Sequence, residues 1–300
     1  MKRKKTAMQK DNTKILFLFP SVLFIFLFIV YPIVYSAVLA LSKITFSAGV
    51  LTTEFSGFAN FTKILGQSLF WEALKNTLFF TILRVASTFL IGIIVALVVS
   101  HAKGFIAKLL KTFFLVPWAL SNVVNGLMWQ WMYNSQYGIA NEILLQFGLI
   151  DAYVPWLNQP STALLAIIFA DTWKSVPFVS LMFLAALQNV SQDMYDAAEV
   201  DGANVFQRFF YVTIPAIRPI IMITLIIQTM WAFKAFDLIW VLTQGGPLNS
   251  TTTLAVMSYR ESFHYLRLGT GAAMSYMLTF LSVLFILLYL KMNGSEDIGE

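Results

Sequence analysis

The stretch 15-ILFLFPSVLFIFLFIV-30 decides the fold class. It carries no charge and continues, mainly apolar, through 31-YPIVYSAVLAL-41. A helix that crosses the hydrocarbon core of a bilayer needs about 20 such residues, because in lipid every backbone polar group must be satisfied within the helix. The basic start at Lys2, Arg3, Lys4 and Lys5 invites comparison with a signal peptide. The apolar run is too long for a secretory core of roughly 7 to 15 residues, so a retained helix is predicted over 15–41. Further spans are predicted over 77–100, 112–133, 161–187, 216–241 and 269–291.

Composition agrees along the whole chain. Of its 300 residues 58% are hydrophobic and 12% charged, and the mean hydropathy is +0.74. A soluble domain of ordinary composition has about a quarter of its residues charged. The expected class is therefore an all-α membrane protein of six transmembrane helices. It comprises a basic N-terminus over 1–14, one membrane domain over 15–291 and a polar tail over 292–300.

Lys and Arg set the orientation. With the N-terminus inside, twelve of them fall in inner segments (Lys2, Arg3, Lys4, Lys5, Lys10, Lys14, Lys103, Lys108, Lys111, Arg208, Arg218, Lys291) and five in outer ones (Lys43, Lys63, Lys75, Arg260, Arg267). Both termini are thus expected in the cytoplasm. The net charge of +5 is concentrated at the N-terminus, which fits a membrane flank and not a nucleic-acid surface. The absence of cysteine excludes disulfides, thiolate metal sites and a Cys nucleophile. His101 and His264 stand far apart, so no metal site is expected. The outer loops, 42–76, 134–160 and 242–268, are rich in Trp, Gly, Pro and Asn, as packed surface structure would be.

The loop between spans four and five does not read as a linker. Ser191 can cap a helix whose first turn holds Asp193, where the helix dipole favours an anion. Met194 to Val200 is helical in composition, and Gly202 ends it. A second helix from Asn204 to about Thr213 would carry an apolar stripe of Val205, Phe206, Phe209 and Phe210, after which Pro215 and Pro219 are expected to reset the chain. Asp193, Asp196, Glu199 and Asp201 give the inner surface an acidic, partly apolar knob. From these residues alone, an interfacial amphipathic helix and a docking element for a soluble partner are both open.

The stretch 196-DAAEVDGANVFQRFFYVTIPAIRP-219 resembles the EAA loop of ABC-importer permeases. The pattern is matched at Ala197, Ala198, Asp201, Gly202, Ala203, Phe209, Ile214, Pro215 and Pro219. It departs at Asp196, where Glu is usual, and at Ile214, where Leu precedes the proline. The segments 70-FWEALKNT-77, 134-NSQYG-138, 171-DTWKSVPF-178 and 236-FDLIWVLTQGGP-247 are similar, in order, to those of permeases for oligosaccharides, maltose and glycerol phosphate. The resemblance implies a coupling helix at about 191–215, with Asp196, Ala197, Ala198, Glu199, Asp201 and Gly202 meeting an ATPase. It also implies a second related permease, two cytoplasmic ATPase subunits and an extracytoplasmic solute-binding protein that would meet loops such as 243–253. The chain has no phosphate-binding G-x-x-x-x-G-K-[ST] loop. ATP and Mg would therefore be bound by the partners, with no cofactor in this chain and no covalent chemistry performed by it. Membrane lipid completes the set of expected partners.

Polar residues within the spans are candidates for a solute path. Asn122, Asn125 and Trp129 follow Pro117 at helical spacing, as do Gln228, Trp231 and Lys234. A sugar needs hydrogen-bonding groups beside flat aromatic faces, which these two stripes offer; interhelical glue is the competing explanation. Asp171 with Lys174, and Lys234 with Asp237, are spaced to form ion pairs within one helix face, and Arg84 reads as a snorkelling or packing residue. Trp118, Trp129 and Trp131 would equally serve as an interfacial belt. An ion-coupled secondary transporter would call instead for inverted repeats and an unpaired intramembrane carboxylate. Neither is visible.

Overall fold

The computed structural model describes residues 17–47, 50–102 and 104–294. The basic N-terminus over 1–14, Lys103 and residues 295–300 of the predicted tail lie outside the described residues. The chain divides into two compact units, one of 1–66 with 258–277, the other of 67–257 with 278–300.

The first unit contains α1 (Phe17–Ala40), predominantly apolar, exposed from Phe17 to Tyr35 and buried at Ala40. A helix apolar all round finds its partner surface in lipid or in other protein. Its turn over Phe26–Val30 widens to π geometry just before Pro32, with the Tyr31 N–H donating to the Phe26 carbonyl. Such a bulge absorbs the ladder bond that proline cannot make. A hairpin then departs from the all-helical expectation, with β1 (Ser42–Ser47) pairing antiparallel to β2 (Val50–Phe55). Thr45 stands opposite Thr52 and their hydroxyls bond at 2.6 Å. The short alternating run 42-SKITF-46 favours a pleated pairing over a helix. After α2 (Ala59–Leu65), Asn60 ties hairpin to helix, its Nδ2 donating to the Ala40 and Ser42 carbonyls at 2.8 and 2.9 Å.

The second unit is built on α3 (Ser68–His101) packed lengthwise against α7 (Pro160–Leu187). The small Gly92 lets the two approach, since a Cβ there would stand 2.7 Å from Val179 Cγ1. Phe80, Ile167, Ile168 and Ala170 fill the core on one side and Val179 and Phe183 on the other. Around this pair lie α4 (Gly104–Ala119), α5 (Asn122–Met132), α6 (Ile139–Gln146), α8 (Gln192–Val200), α9 (Val205–Phe233) and α10 (Asp237–Thr243). The chain ends with α11 (Leu254–Tyr259) and α12 (Leu268–Gly294). In the 134–160 loop, buried Asn141 accepts from the Val154 N–H and from Trp156 Nε1. That loop is packed structure, as its composition implied.

Among the described residues, α1, α3, α7, α9 and α12 are long and apolar enough to cross a membrane. The predicted span over 112–133 is not one helix. Its helix stops at Ala119, just past Pro117, and a new one starts at Asn122. Ser121 is extended and its side chain caps the new helix, accepting the Val124 N–H at 3.2 Å. The predicted span over 216–241 is likewise divided, ending at Phe233 and resuming at Asp237.

The expected reset at Pro215 and Pro219 does not occur. The helix that starts at Val205 runs through both prolines to Phe233. A π turn over Phe209–Thr213, in which the Ile214 N–H reaches back to Phe209 O, prepares the register for Pro215. Because that proline falls at the second position after the widened turn, its missing N–H breaks no regular ladder.

Candidate functional site

Both helix breaks open onto one cleft of about 330 Å³. Trp118 and Asn122 come from either side of the first break, Trp231 and Lys234 to Asp237 from the second, and Arg84, Asp171, Lys174 and Ser175 from the long helices behind. The cleft therefore has aromatic walls and five charged groups inside an apolar bundle. Charges at membrane depth are costly unless they face water or one another.

Arg84 organises the rear wall, and of the two roles its position implied, snorkelling or packing, the structure shows the second. It is 3% exposed. Its Nε donates to Asp171 Oδ1 at 2.8 Å, one terminal nitrogen to Ser175 Oγ at 2.7 Å, and the other to the Gln228 backbone carbonyl at 2.9 Å and to the Gln228 side-chain oxygen. Ser175 Oγ in turn donates to Asp171 Oδ1 at 3.0 Å. One side chain so joins α3, α7 and α9. The expected ion pair of Asp171 with Lys174 is not formed: the guanidinium and the Ser175 hydroxyl both bond Asp171 Oδ1. Lys174 Nζ reaches Asn122 Oδ1 at 2.6 Å. The expected Lys234–Asp237 pair is also replaced. Lys234 is the residue at which α9 ends, and Asp237 accepts from Asn122 Nδ2 at 3.4 Å.

The two stripes read from the sequence are thus divided between cleft and core. Asn122, Lys174, Trp231, Lys234 and Asp237 line the cleft. Asn125 and Gln228 are fully buried. Asn125 Nδ2 donates to the Ala170 carbonyl at 3.3 Å and Gln228 holds Arg84, so both act as glue between helices. Trp129 packs against Tyr133, Phe169 and Trp173 in the core. Arg84, Ser175, Trp118 and Phe236 belong to the cleft and were not among the candidates. Arg84 carried a signal, an intramembrane guanidinium, but its partner Gln228 lies 144 positions away.

A second constellation lies on α8. Ser191 caps it by accepting the Asp193 N–H at 3.2 Å. Gly202 N–H bonds Glu199 O at 3.0 Å and Ala203 N–H bonds Ala198 O at 2.9 Å, the paired closure that ends a helix through a left-handed residue. Gly202 supplies it with φ +79°. Asn204 and Gln207 then form a reciprocal capping box at 2.8 and 2.9 Å. Glu199 meets Arg208 at 2.7 Å on the surface, and Tyr195 Oη meets Thr213 Oγ1 at 3.0 Å, tying α8 to the π turn of α9. Asp196, Ala197, Glu199, Asp201 and Gly202 are exposed and Ala198 is half-buried. Beside them Val200, Val205 and Phe206 project into solvent, each more than two-thirds exposed.

Apolar helices of membrane length surround a polar cleft at two helix breaks, and a doubly capped acidic knob stands apart from it. The sequence over 88–293 matches the family described as binding-protein-dependent transport system inner membrane component, and the chain belongs to that family. It is a multi-pass inner-membrane protein, and the 196–219 stretch is consistent with the family's EAA motif. It is 35% identical over 284 residues to the trehalose/maltose transport system permease protein MalF of Thermococcus litoralis, covering 93% of this chain and 92% of that one. It is 33% identical over 283 residues to the sulfoquinovosyl glycerol transport system permease protein SmoG of Agrobacterium fabrum, covering 94% and 91%. Its fold matches a chain in the crystal structure of a bacterial alginate ABC transporter in complex with an alginate pentasaccharide-bound periplasmic protein. There the TM-score is 0.81 at 23% identity, over 98% of each chain.

Proposed function

We propose that the chain is the permease subunit of an ATP-driven ABC importer and forms half of the translocation pore for a carbohydrate or related polar solute. The observation that carries this reading is the cleft at the two helix breaks, where Trp118 and Trp231 line the wall together with Asn122, Lys174, Lys234 and Asp237. Sugars present apolar C–H faces and hydroxyl edges, and this wall offers a match for each. Discontinuous membrane helices are a recurrent way of placing backbone polar groups at such a site.

Energy enters at α8. Its exposed acidic face and the apolar residues beside it meet a cytoplasmic ATPase, one of two that hold ATP and Mg. The unbroken helix α9 leads from that knob to Trp231 and the break at Lys234, so a push on the loop moves one wall of the cleft. Closure of the ATPase pair rocks this permease against a second, related one, exposing the cleft to each side in turn. A solute-binding protein outside delivers the cargo. The relatives, transporters of disaccharides and of a sulfonated glycoside by name, support this solute class, and the alginate transporter complex supports the binding-protein partner.

The test is copurification of the tagged chain from its native membrane, followed by ATPase assay with maltose, trehalose, raffinose, glycerol 3-phosphate and a uronate trisaccharide, each with the cognate binding protein. Recovery of a second permease and an ATPase, stimulated by one of these and weakened by Trp231→Ala, is the expected result. A chain that purifies alone and moves solute in ATP-free vesicles under an ion gradient refutes it.

A further inference from the structure

The Asp171 carboxylate has two cations within reach, Lys174 three residues along its own helix and Arg84 on α3. The structure gives it to Arg84, at 2.8 Å, with Ser175 Oγ donating to the same oxygen at 3.0 Å. The guanidinium is fixed from its other edge by the Gln228 backbone carbonyl at 2.9 Å and by the Gln228 side chain. Lys174, on the same cleft wall, makes its hydrogen bond elsewhere. Its ammonium donates to Asn122 Oδ1 at 2.6 Å and lies on the cleft wall.

We propose that Arg84 is a positioning residue for the solute cleft: by holding Asp171 it keeps Lys174 out of an ion pair along its own helix and directs the ammonium to Asn122 and the solute. The inference rests on the reading of the cleft as the solute site. Its reasoning is a competition. A carboxylate at membrane depth is costly without a partner, and residues three apart on a helix lie on one face. Without Arg84, the nearest compensating cation for Asp171 is Lys174. That swing removes the ammonium from the cleft and breaks its bond to Asn122. Asn122 Nδ2 also donates to Asp237 Oδ2 at 3.4 Å, so the swing loosens the link between the first turns of α5 and α10, the two segments that begin at the helix breaks.

The experiment uses the purified complex with its partner subunits in lipid nanodiscs, and the saccharide of the panel above that stimulates the wild type most. Arg84→Gln removes the cation but keeps a hydrogen-bonding amide. Loss of one charged hydrogen bond to solute raises the half-saturating saccharide concentration about tenfold, with the maximal rate affected less. Adding Asp171→Asn to Arg84→Gln removes the competitor, and half-saturation returns to near the wild-type value. A merely structural ion pair is also rescued by removing both charges, so the discriminating readout is a Lys174→Met background. There Arg84→Gln adds no further shift in half-saturation if it acts through Lys174, and a full one if it does not. An unshifted single variant, or equal impairment in single and double variants, overturns the proposal. Should Arg84→Gln fail to assemble, the double variant decides. Assembly with near wild-type half-saturation that rises when Lys174→Met is added supports the proposal, and failed assembly, a raised value or indifference to Lys174→Met overturns it. A chain that purifies without an ATPase, or a wild-type complex that responds to no member of the panel, sinks the proposed function and this inference with it, a result distinct from a responsive wild type whose variant does not shift.

Discussion

Substitution of Gly202 separates backbone geometry from steric contact in the proposed ATPase dock. Its φ of +79° lies in the left-handed region, and a Cβ built there meets no atom within 4 Å. Within the chain, then, the cost of any side chain at 202 is conformational. A non-glycine residue pays roughly 1–2 kcal/mol for this region, least for Asn and most for a β-branched residue. If the dock must have its helix end preformed, that cost passes into the affinity for the ATPase. About 1 kcal/mol for Gly202→Ala lowers affinity about fivefold, and about 2 kcal/mol for Gly202→Val lowers it about thirtyfold, with Gly202→Asn near twofold. The assay is titration of permease-containing nanodiscs with the ATPase subunit, read as binding and as hydrolysis per saccharide moved. The expected order of affinity is Gly, Asn, Ala, Val. Equal binding by Gly, Ala and Val, with loss confined to Gly202→Trp, refutes the argument. It would mean that bulk against the partner, and not the left-handed turn, matters at this position.

Three further outcomes follow from local geometry. A Cβ at Gly126 would lie 2.8 and 2.9 Å from Val241 Cγ1 and Cβ, so Gly126→Ala should destabilise the α5–α10 packing by about 1–3 kcal/mol, with recovery in Gly126→Ala/Val241→Ala; thermal unfolding of the purified complex reads both. Asn76 Nδ2 donates to the Asn249 and Thr252 carbonyls at 3.2 and 3.1 Å, pinning a loop in which Gln244, Leu248 and Asn249 have φ of 51°, 50° and 63°. Asn76→Ala should lose about 1 kcal/mol per bond, and limited proteolysis should cut 244–253 sooner, whereas an unchanged cleavage rate contradicts the pinning. The half-buried Glu142 carboxylate is held below its ordinary 4.5 by the Tyr153 hydroxyl and then by Gln146. Because the folded value is the lower one, its contribution is present above the ordinary value and fades as pH falls through the folded one. Tyr153→Phe should therefore weaken the pH dependence of hydrogen exchange over 139–158 between about pH 6 and about pH 3, and an identical dependence in both proteins counts against it.

The spans and the α8 turn were legible because their causes are local. An apolar run of membrane length has few alternatives in lipid, and the Ser191 cap with Gly202 two residues beyond Val200 marks a helix within a dozen positions. The cleft was legible only in part. Asn122 and Asn125 share a helical stripe with Trp129, yet Asn122 faces Lys174 while Asn125 is sealed against the Ala170 carbonyl. Periodicity places residues on a face but does not tell which neighbour covers that face. The ion pairs failed for the same reason. Spacing nominates Lys174 for Asp171, and nothing within 171–178 reveals that a guanidinium 87 positions earlier takes its place.

The helix breaks show where hydropathy and backbone accounting part company. The segments 112–133 and 216–241 stay mainly apolar across their breaks, so a hydropathy window runs through both. In lipid, however, an interrupted helix leaves backbone groups that need partners. Each break supplies some of its own. Ser121 caps Val124, the Lys234 N–H still reaches Met230 O at 3.3 Å, and Trp240 N–H bonds Phe236 O at 2.8 Å. Asn122 at one break and Lys234 to Asp237 at the other line the same cleft. Irregular backbone is tolerated at membrane depth where it is buried in protein or lines a water-filled space, and here the two irregularities and the charged side chains share one such space. The cleft makes the breaks tolerable, and the breaks bring Lys234 and Asp237 to its wall. A substitution that restores one continuous helix across 234–236 should accordingly stabilise α9 while removing the site.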